Sequence, residues 1–155
     1  RHLYDNFQLN PQADIDHVLV GPPRIFIVST KAHRGLFECA GPDGQPRFNH
    51  EPNTWAHEAT KQALQLRDHL SAHSTEQPPW VQPVLPMPFA HVIAKPGEDA
   101  RPTAAKAWVL HEDRLVEMLE RAPGRPTLTD SQVRAWVDAL RQHQSKFASA
   151  PPTDA

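Results

Sequence analysis

Residues 13–35 read ADIDHVLVGPPRIFIVSTKAHRG and contain two short apolar runs on either side of a turn. The first run covers 18–20 and the second covers 25–28, and residues 21–24 between them include a glycine and two prolines. β-Branched and aromatic runs this short, bounded by Gly and Pro, are typical of strands. Because only four residues separate the runs, we predict an antiparallel β-hairpin.

The pairing in this hairpin determines which polar side chains share a face. With 21–24 as the turn, Val20 pairs with Ile25, and each step outward moves one residue along both strands. Directly opposed residues share a face, and so do residues two apart on one strand. Four polar residues therefore converge at the end away from the turn: Asp14, Asp16, Ser29 and Lys31. A one-residue bulge would instead move one strand's set to the opposite face.

The same face continues toward the turn as an apolar floor made of Val18, Val20, Ile25 and Ile27. Carboxylates are suitable ligands for Mg²⁺, and an ammonium group stabilises negative charge that develops on oxygen. An acid and a lysine against this floor can therefore hold a metal ion and a reacting oxyanion. The plainer interpretations are a hydrogen-bonded structural acid at Asp16 and a surface lysine at Lys31.

Length and composition limit the remaining possibilities. A chain of 155 residues can bury a core as one domain. Its net charge of −2 gives no general basic surface for nucleic acid, although local patches are compatible with it. The single cysteine, Cys39, excludes an internal disulfide and favours a reducing, cytoplasmic compartment. No apolar segment is long enough for a membrane span, and we expect no signal peptide.

Similar patterns predict the other elements. We predict strands over 3–9, 35–40, 45–49, 81–85, 90–94 and 107–110, helices over 53–73, 113–121 and 129–146, and a disordered tail over 147–155. Prolines at 83, 86 and 88 leave 81–85 as the plausible inner strand of its neighbourhood. Strands on both sides of a long helix indicate an α/β fold, in which helices flank a mixed sheet that starts with the hairpin.

The helix predicted over 53–73 has small residues on its apolar stripe, which lets it approach a sheet closely. The stripe consists of Ala56, Ala59, Ala63, Leu66 and Leu70. Glu58 and Gln62 lie one turn apart beside it, either on a solvated flank or within reach of a site at the sheet edge. The four tryptophans are scattered, and we expect each to pack in the core or in an interface.

The central stretch resembles a known family. IDHVLVGPPRIFIVSTKAHRG is similar to the core signature of the nuclease-related domain (NERD) family, in which Ile-Asp-His and a hydrophobic run precede Gly-Pro. In that signature the second strand ends in acid-x-Lys, followed shortly by Gly. Three outer stretches are similar to the preceding strand, the helix after the sheet and a late strand–helix pair: LYDNFQL, NTWAHEATKQALQLRDHL and AWVLHEDRLVEML. The resemblance indicates one domain over 1–146.

This resemblance implies a restriction-endonuclease-like fold of the PD-(D/E)xK superfamily and Mg²⁺- or Mn²⁺-dependent cleavage of DNA. Matched to the family motif, Asp16 would bind the metal, and Lys31 would steer the attacking water or stabilise the transition state. The second acid of the motif falls on Ser29. A helical glutamine of the family falls on Gln62 or Glu58. The family's glutamate on an N-terminal helix would precede Arg1, so we expect that helix to be missing from the chain.

Ser29 divides the functional hypotheses. Mg²⁺ usually takes one or two carboxylates beside its waters, and a hydroxyl is a poor substitute. By the hairpin register, Asp14 is placed to compensate. One hypothesis is a metal-dependent nuclease of DNA (or RNA) with weakened activity. A second is an inactive module of the same fold that binds nucleic acid or a protein, and a third is a purely structural α/β domain that binds a partner. Beside the site, His33 and Arg34 are either phosphate contacts or a plain polar loop.

Overall fold

The computed structural model describes residues 2–10, 13–21, 24–72, 80–95, 102–121 and 128–148. Their strands are β1 (His2–Asn10), β2 (Ala13–Val20), β3 (Ile25–Val28), β4 (Gly35–Glu38), β5 (Arg47–Phe48), β6 (Glu51–Pro52), β7 (Val81–Pro86), β8 (Ala90–Ile93), β9 (Thr103–Ala104) and β10 (Ala107–Leu110). Their helices are α1 (Trp55–Ala72), α2 (Leu115–Arg121), which follows a 3₁₀ turn (Glu112–Arg114), and α3 (Asp130–Ala148). Each predicted strand and helix is present. The strands over 25–28 and 107–110 have the predicted ends, and the other elements differ at one or both ends.

The strands form two mixed sheets, so the predicted α/β class is confirmed, while the expected single sheet is divided. The main sheet has the order β1-β2-β3-β7-β10-β9, and the second sheet has the order β6-β5-β4-β8. In the main sheet β1, β2 and β3 are antiparallel, whereas β3, β7 and β10 are parallel. Parallel neighbours need a crossover connection, and here the second sheet's first strands and α1 provide it. The architecture is consistent with a restriction-endonuclease-like fold.

The β2–β3 hairpin has the register that the sequence predicts. Val20 pairs with Ile25, and the ladder continues without a shift to His17 opposite Val28. The faces are therefore not exchanged by a bulge. The apolar floor is buried against α1 and α3, in one cluster that includes Val18, Val20, Ile25, Ile27, Leu66, Leu70 and Trp136.

Beyond its last strand residue, β3 remains hydrogen-bonded to β7. The N–H groups of Ser29 and Lys31 donate to the carbonyl oxygens of Val84 and Pro86, both at 3.0 Å. These bonds keep the strand alternation, so the side chains at 29 and 31 lie on the face that carries the floor. β7 lies between β3 and β10, which confirms the predicted inner strand.

Helices cover both faces of the main sheet. α1 and α3 cover the face with the floor, and the five residues of the predicted α1 stripe are all buried. α2 covers the opposite face through a cluster that includes Phe26, Val84, Trp108, Leu110 and Met118. The second sheet packs against the start of α1 through Phe37, Phe48 and Trp55. The start of α1 is therefore held between two sheets.

α3 begins with the predicted capping box. The Thr129 N–H donates to Gln132 Oε1 at 2.8 Å, and the Gln132 N–H donates to Thr129 Oγ1 at 3.2 Å. The helix continues to Ala148, so the first two residues assigned to the tail are helical, because the chain there still supports the i to i+4 bonds of α3. The rest of the predicted tail, 149–155, lies outside the described residues. None of the described helices is long and apolar enough to cross a membrane.

Candidate active site

A cleft of about 110 Å³ lies where the end of β3 meets the first half of α1. Its walls carry carboxyl, hydroxyl, ammonium and amide groups above a small apolar base. The lining residues are Asp16, Ser29, Lys31, Trp55, Glu58, Ala59, Gln62 and Leu85. The three residues at the positions of the family motif therefore meet both helical candidates in one place.

Asp16 and Ser29 enter the cleft from neighbouring strands. Asp16 lies on β2 and is exposed, and its Oδ2 accepts a hydrogen bond from the Thr30 N–H at 3.2 Å. Ser29 is half-buried, and its main chain is fixed by the bond to Val84. An ionised carboxylate has about four lone-pair sites, so the bond from Thr30 leaves Asp16 able to bind a cation.

Lys31 is half-buried and contacts the aromatic ring of Trp55. Its Nζ lies 5.8 Å from the ring centroid. An ammonium group within about 6 Å of an indole is attracted to the negative face of the ring. Since the main chain of Lys31 is bonded to Pro86, both ends of the side chain are restrained. The ammonium group is thereby kept at the cleft.

α1 contributes Glu58 and Gln62 to the opposite wall. They are four residues apart, which places them on one side of a helix, and both line the cleft beside the buried Ala59. Glu58 Oε1 accepts a hydrogen bond from the Thr54 hydroxyl at 3.0 Å. Of the two interpretations of this helix flank, the structure supports the one in which these side chains reach the sheet edge.

Trp55 is the lining residue that the sequence analysis missed, because it predicted only a packing role. The ring does pack, with centroid distances of 4.9 Å to His33, 4.9 Å to Phe48 and 6.5 Å to Phe37. It also lines the cleft. The available signal was its spacing, because Trp55 is three residues before Glu58 and seven before Gln62, on the same helix side.

Two further predicted residues, both described by the structure, do not line the cleft. His33 is exposed and stacks on Trp55. Arg34 is exposed too, with its guanidinium carbon 5.1 Å from the ring centroid of Phe89. Both therefore flank the site. Asp14 belongs to β2, but its side chain lies outside the described part of the structure, so its compensating role stays a prediction.

The donor groups of the cleft suit a hard cation such as Mg²⁺, which prefers oxygen ligands and keeps several waters. The cleft offers two carboxylates, a hydroxyl and an amide oxygen: Asp16, Glu58, Ser29 and Gln62. Among the described residues, no group of three or more His, Cys, Asp or Glu could hold a metal ion. Bound water needs only about 10–15 Å³, so a hydrated ion with one or two protein carboxylates fits this space.

Comparison with known families places these observations in context. The family model described as NERD, nuclease-related domain, matches residues 1–88. This range contains β1 to β7 and α1, and so every residue that lines the cleft. The late strand–helix pair, which the sequence resemblance included, lies beyond it. Comparisons with curated proteins and with solved structures gave no match.

Proposed function

Since the chain belongs to the nuclease-related domain family, we propose that it hydrolyses phosphodiester bonds of DNA at this cleft with the help of Mg²⁺ or Mn²⁺. One observation carries the proposal: Asp16, Ser29 and Lys31 line a single cleft together with polar residues of α1. A lone acid or lysine would be an ordinary surface group. An acid that can bind a cation beside a restrained ammonium group is suited to phosphoryl chemistry.

A bound divalent cation would polarise the scissile phosphate and activate the attacking water. Asp16 holds the cation in this proposal, and Lys31 stabilises the negative charge that develops on the phosphate oxygens. The water oxygen bonds to phosphorus and releases a proton to the solvent, while the bond to the leaving sugar oxygen breaks. The leaving oxygen takes up a proton, and the new phosphate end carries the oxygen of the water. Trp55 restrains the Lys31 ammonium group throughout.

Ser29 favours a second candidate function, that of an inactive module with the same fold. A neutral hydroxyl in place of a carboxylate weakens cation binding. Such a module would bind DNA or a protein without cleaving it. His33 and Arg34 flank the cleft as exposed groups, and they would supply phosphate contacts to bound DNA whether or not it is cleaved.

A plasmid-nicking assay with Mg²⁺ or Mn²⁺ distinguishes the two. The wild type is expected to nick supercoiled DNA, and the nicking is expected to stop when EDTA removes the divalent cation. Asp16→Ala and Lys31→Ala are expected to abolish nicking, whereas Ser29→Glu is expected to increase it. Asp68→Ala and Lys61→Ala are matched controls, since both residues are exposed on α1 and neither lines the cleft.

The outcomes separate the hypotheses. Nicking that disappears in Asp16→Ala but persists in Asp68→Ala supports the nuclease. DNA binding without cleavage by the wild type, followed by cleavage in Ser29→Glu, identifies a site that has lost its activity. If no variant cleaves or binds DNA, the proposed function is wrong.

A further inference from the structure

The proposed metal site has one acid on the sheet, Asp16, and a neutral residue where the motif places another acid. The Ser29 hydroxyl carries no charge, so Asp16 alone offsets only half of the charge of a divalent cation. Mg²⁺ sites in proteins commonly have one or two carboxylates together with substrate phosphate and water. A second carboxylate at this cleft would therefore change the affinity for the metal substantially.

α1 presents such a carboxylate to the same cleft. Glu58 lines it together with Asp16 and Ser29. The adjacent Ala59 is 4% exposed, and Leu85 at the base is fully buried. Because the small side chain of Ala59 lies in the core between α1 and the sheet, α1 could not turn Glu58 away without exposing apolar surface.

The Glu58 carboxylate, which is exposed, also accepts a hydrogen bond from the start of its own helix. The Thr54 hydroxyl donates to its Oε1 at 3.0 Å, while Asn53 Oδ1 accepts from the Trp55 N–H at 3.0 Å. Asn53 therefore accepts the hydrogen bond from the Trp55 N–H at the start of α1, and the Thr54 hydroxyl donates to the Glu58 carboxylate. Hydrogen bonds of this kind orient metal-binding carboxylates in known sites. The bond from Thr54 engages Oε1 and does not involve the second oxygen, Oε2.

We propose that Glu58 is the second metal-binding carboxylate, so that one Mg²⁺ or Mn²⁺ ion is held between Asp16 on β2 and Glu58 on α1. The inference rests on the proposed function and deepens it. Under it, the acid absent at Ser29 is replaced from the helix. Two carboxylates balance the charge of a divalent cation without a third acid, and Thr54 positions one of them.

The test measures Mn²⁺ binding directly, by electron paramagnetic resonance of the free ion in titrations of the full chain. Loss of a group that merely supports a ligand lowers metal affinity by about 10- to 100-fold, so Glu58→Gln and Asp16→Asn are each expected to weaken binding at least tenfold. Glu112→Gln is the matched control, because this exposed acid lies in the 3₁₀ turn before α2 and not at the cleft. The affinity of the Glu112→Gln variant for Mn²⁺ is expected to equal that of the wild type.

The decisive variant moves the carboxylate from position 58 on α1 to position 29 at the end of β3. Ser29→Glu combined with Glu58→Gln returns the acid to the strand and is expected to restore the Mn²⁺ affinity that Glu58→Gln alone loses. Circular dichroism melting of each variant shows that it is folded. Wild-type affinity in Glu58→Gln, or absence of Mn²⁺ binding by the folded wild type, overturns the proposal.

Failure of this inference differs from failure of the proposed function. If Glu58→Gln binds Mn²⁺ as the wild type does, while nicking still requires Asp16, Glu58 is not a ligand and the nuclease proposal stands. If the wild type neither binds Mn²⁺ nor nicks DNA, both proposals are wrong.

Discussion

Replacement of Gly35 by alanine tests the connection between the end of β3 and the second sheet. Gly35 has a φ of +147°, a conformation that side chains rarely adopt, and an added Cβ would clash with Asn49 Oδ1. Asn49 cannot simply rotate away, because its Oδ1 accepts a hydrogen bond from the Leu36 N–H at 2.9 Å. The substitution therefore combines backbone strain with the loss of a hydrogen bond.

The two costs add to a measurable loss of stability. Backbone strain of this kind costs about 1–3 kcal/mol, and the lost hydrogen bond costs about 0.5–1.5 kcal/mol. We expect Gly35→Ala to lower the free energy of unfolding by about 2–4 kcal/mol. For a chain of this size the corresponding fall in Tm is about 4–16 °C. Urea titration and thermal melting, both followed by circular dichroism, measure these quantities.

Gly44→Ala is the matched control, since Gly44 has a φ of +80° and nothing lies within 4 Å of its added Cβ. It should show backbone strain alone and a smaller loss than Gly35→Ala. In a double-mutant cycle, Gly35→Ala should cost less in an Asn49→Ala background, where the clash is absent. The reasoning is refuted if the Gly35 and Gly44 variants lose equal stability, or if removal of Asn49 leaves the cost unchanged.

Two further predictions concern α1. Trp55→Leu removes the ring beside the Lys31 ammonium group, a contact worth about 0.5–1 kcal/mol at a partly exposed position. The value of kcat/KM for nicking should therefore fall by about two- to fivefold. Trp55→Phe keeps an aromatic ring and should lose less, and equal rates in both variants would contradict the role of the ring. Leu66→Ala empties a fully buried position and should cost about 2.7–5 kcal/mol in urea unfolding. Leu64→Ala, at a position 45% exposed, should change stability little, and a similar loss in both leucine variants would contradict the proposed packing of α1.

Local patterns in the sequence were sufficient for the hairpin and for the helices. Four residues between two apolar runs and a two-residue side-chain period leave few registers, and the observed pairing of Val20 with Ile25 is the predicted one. The α1 stripe and the capping box of α3 are likewise set by residues three or four positions apart. The meeting of Asp16, Ser29 and Lys31 at one cleft follows from the same register.

The second sheet and the far wall of the cleft could not be predicted in this way. The pairing of β4 with β8 joins segments separated by the whole of α1 and β7. Whether Glu58 and Gln62 reached a site or remained on a solvated flank depended on where the crossover after β3 places α1. The lining role of Trp55 depends on the same placement.

The sequence by itself determined the polar end of the β2–β3 hairpin, because strand alternation and turn length act over a few residues. Only the tertiary structure decided which helix covers that end and which side chains complete the cleft. The physical reason is that the parallel pairing of β3 with β7 brings together residues more than fifty positions apart. Burial of the α1 stripe then places Glu58 at the cleft that Asp16 also lines.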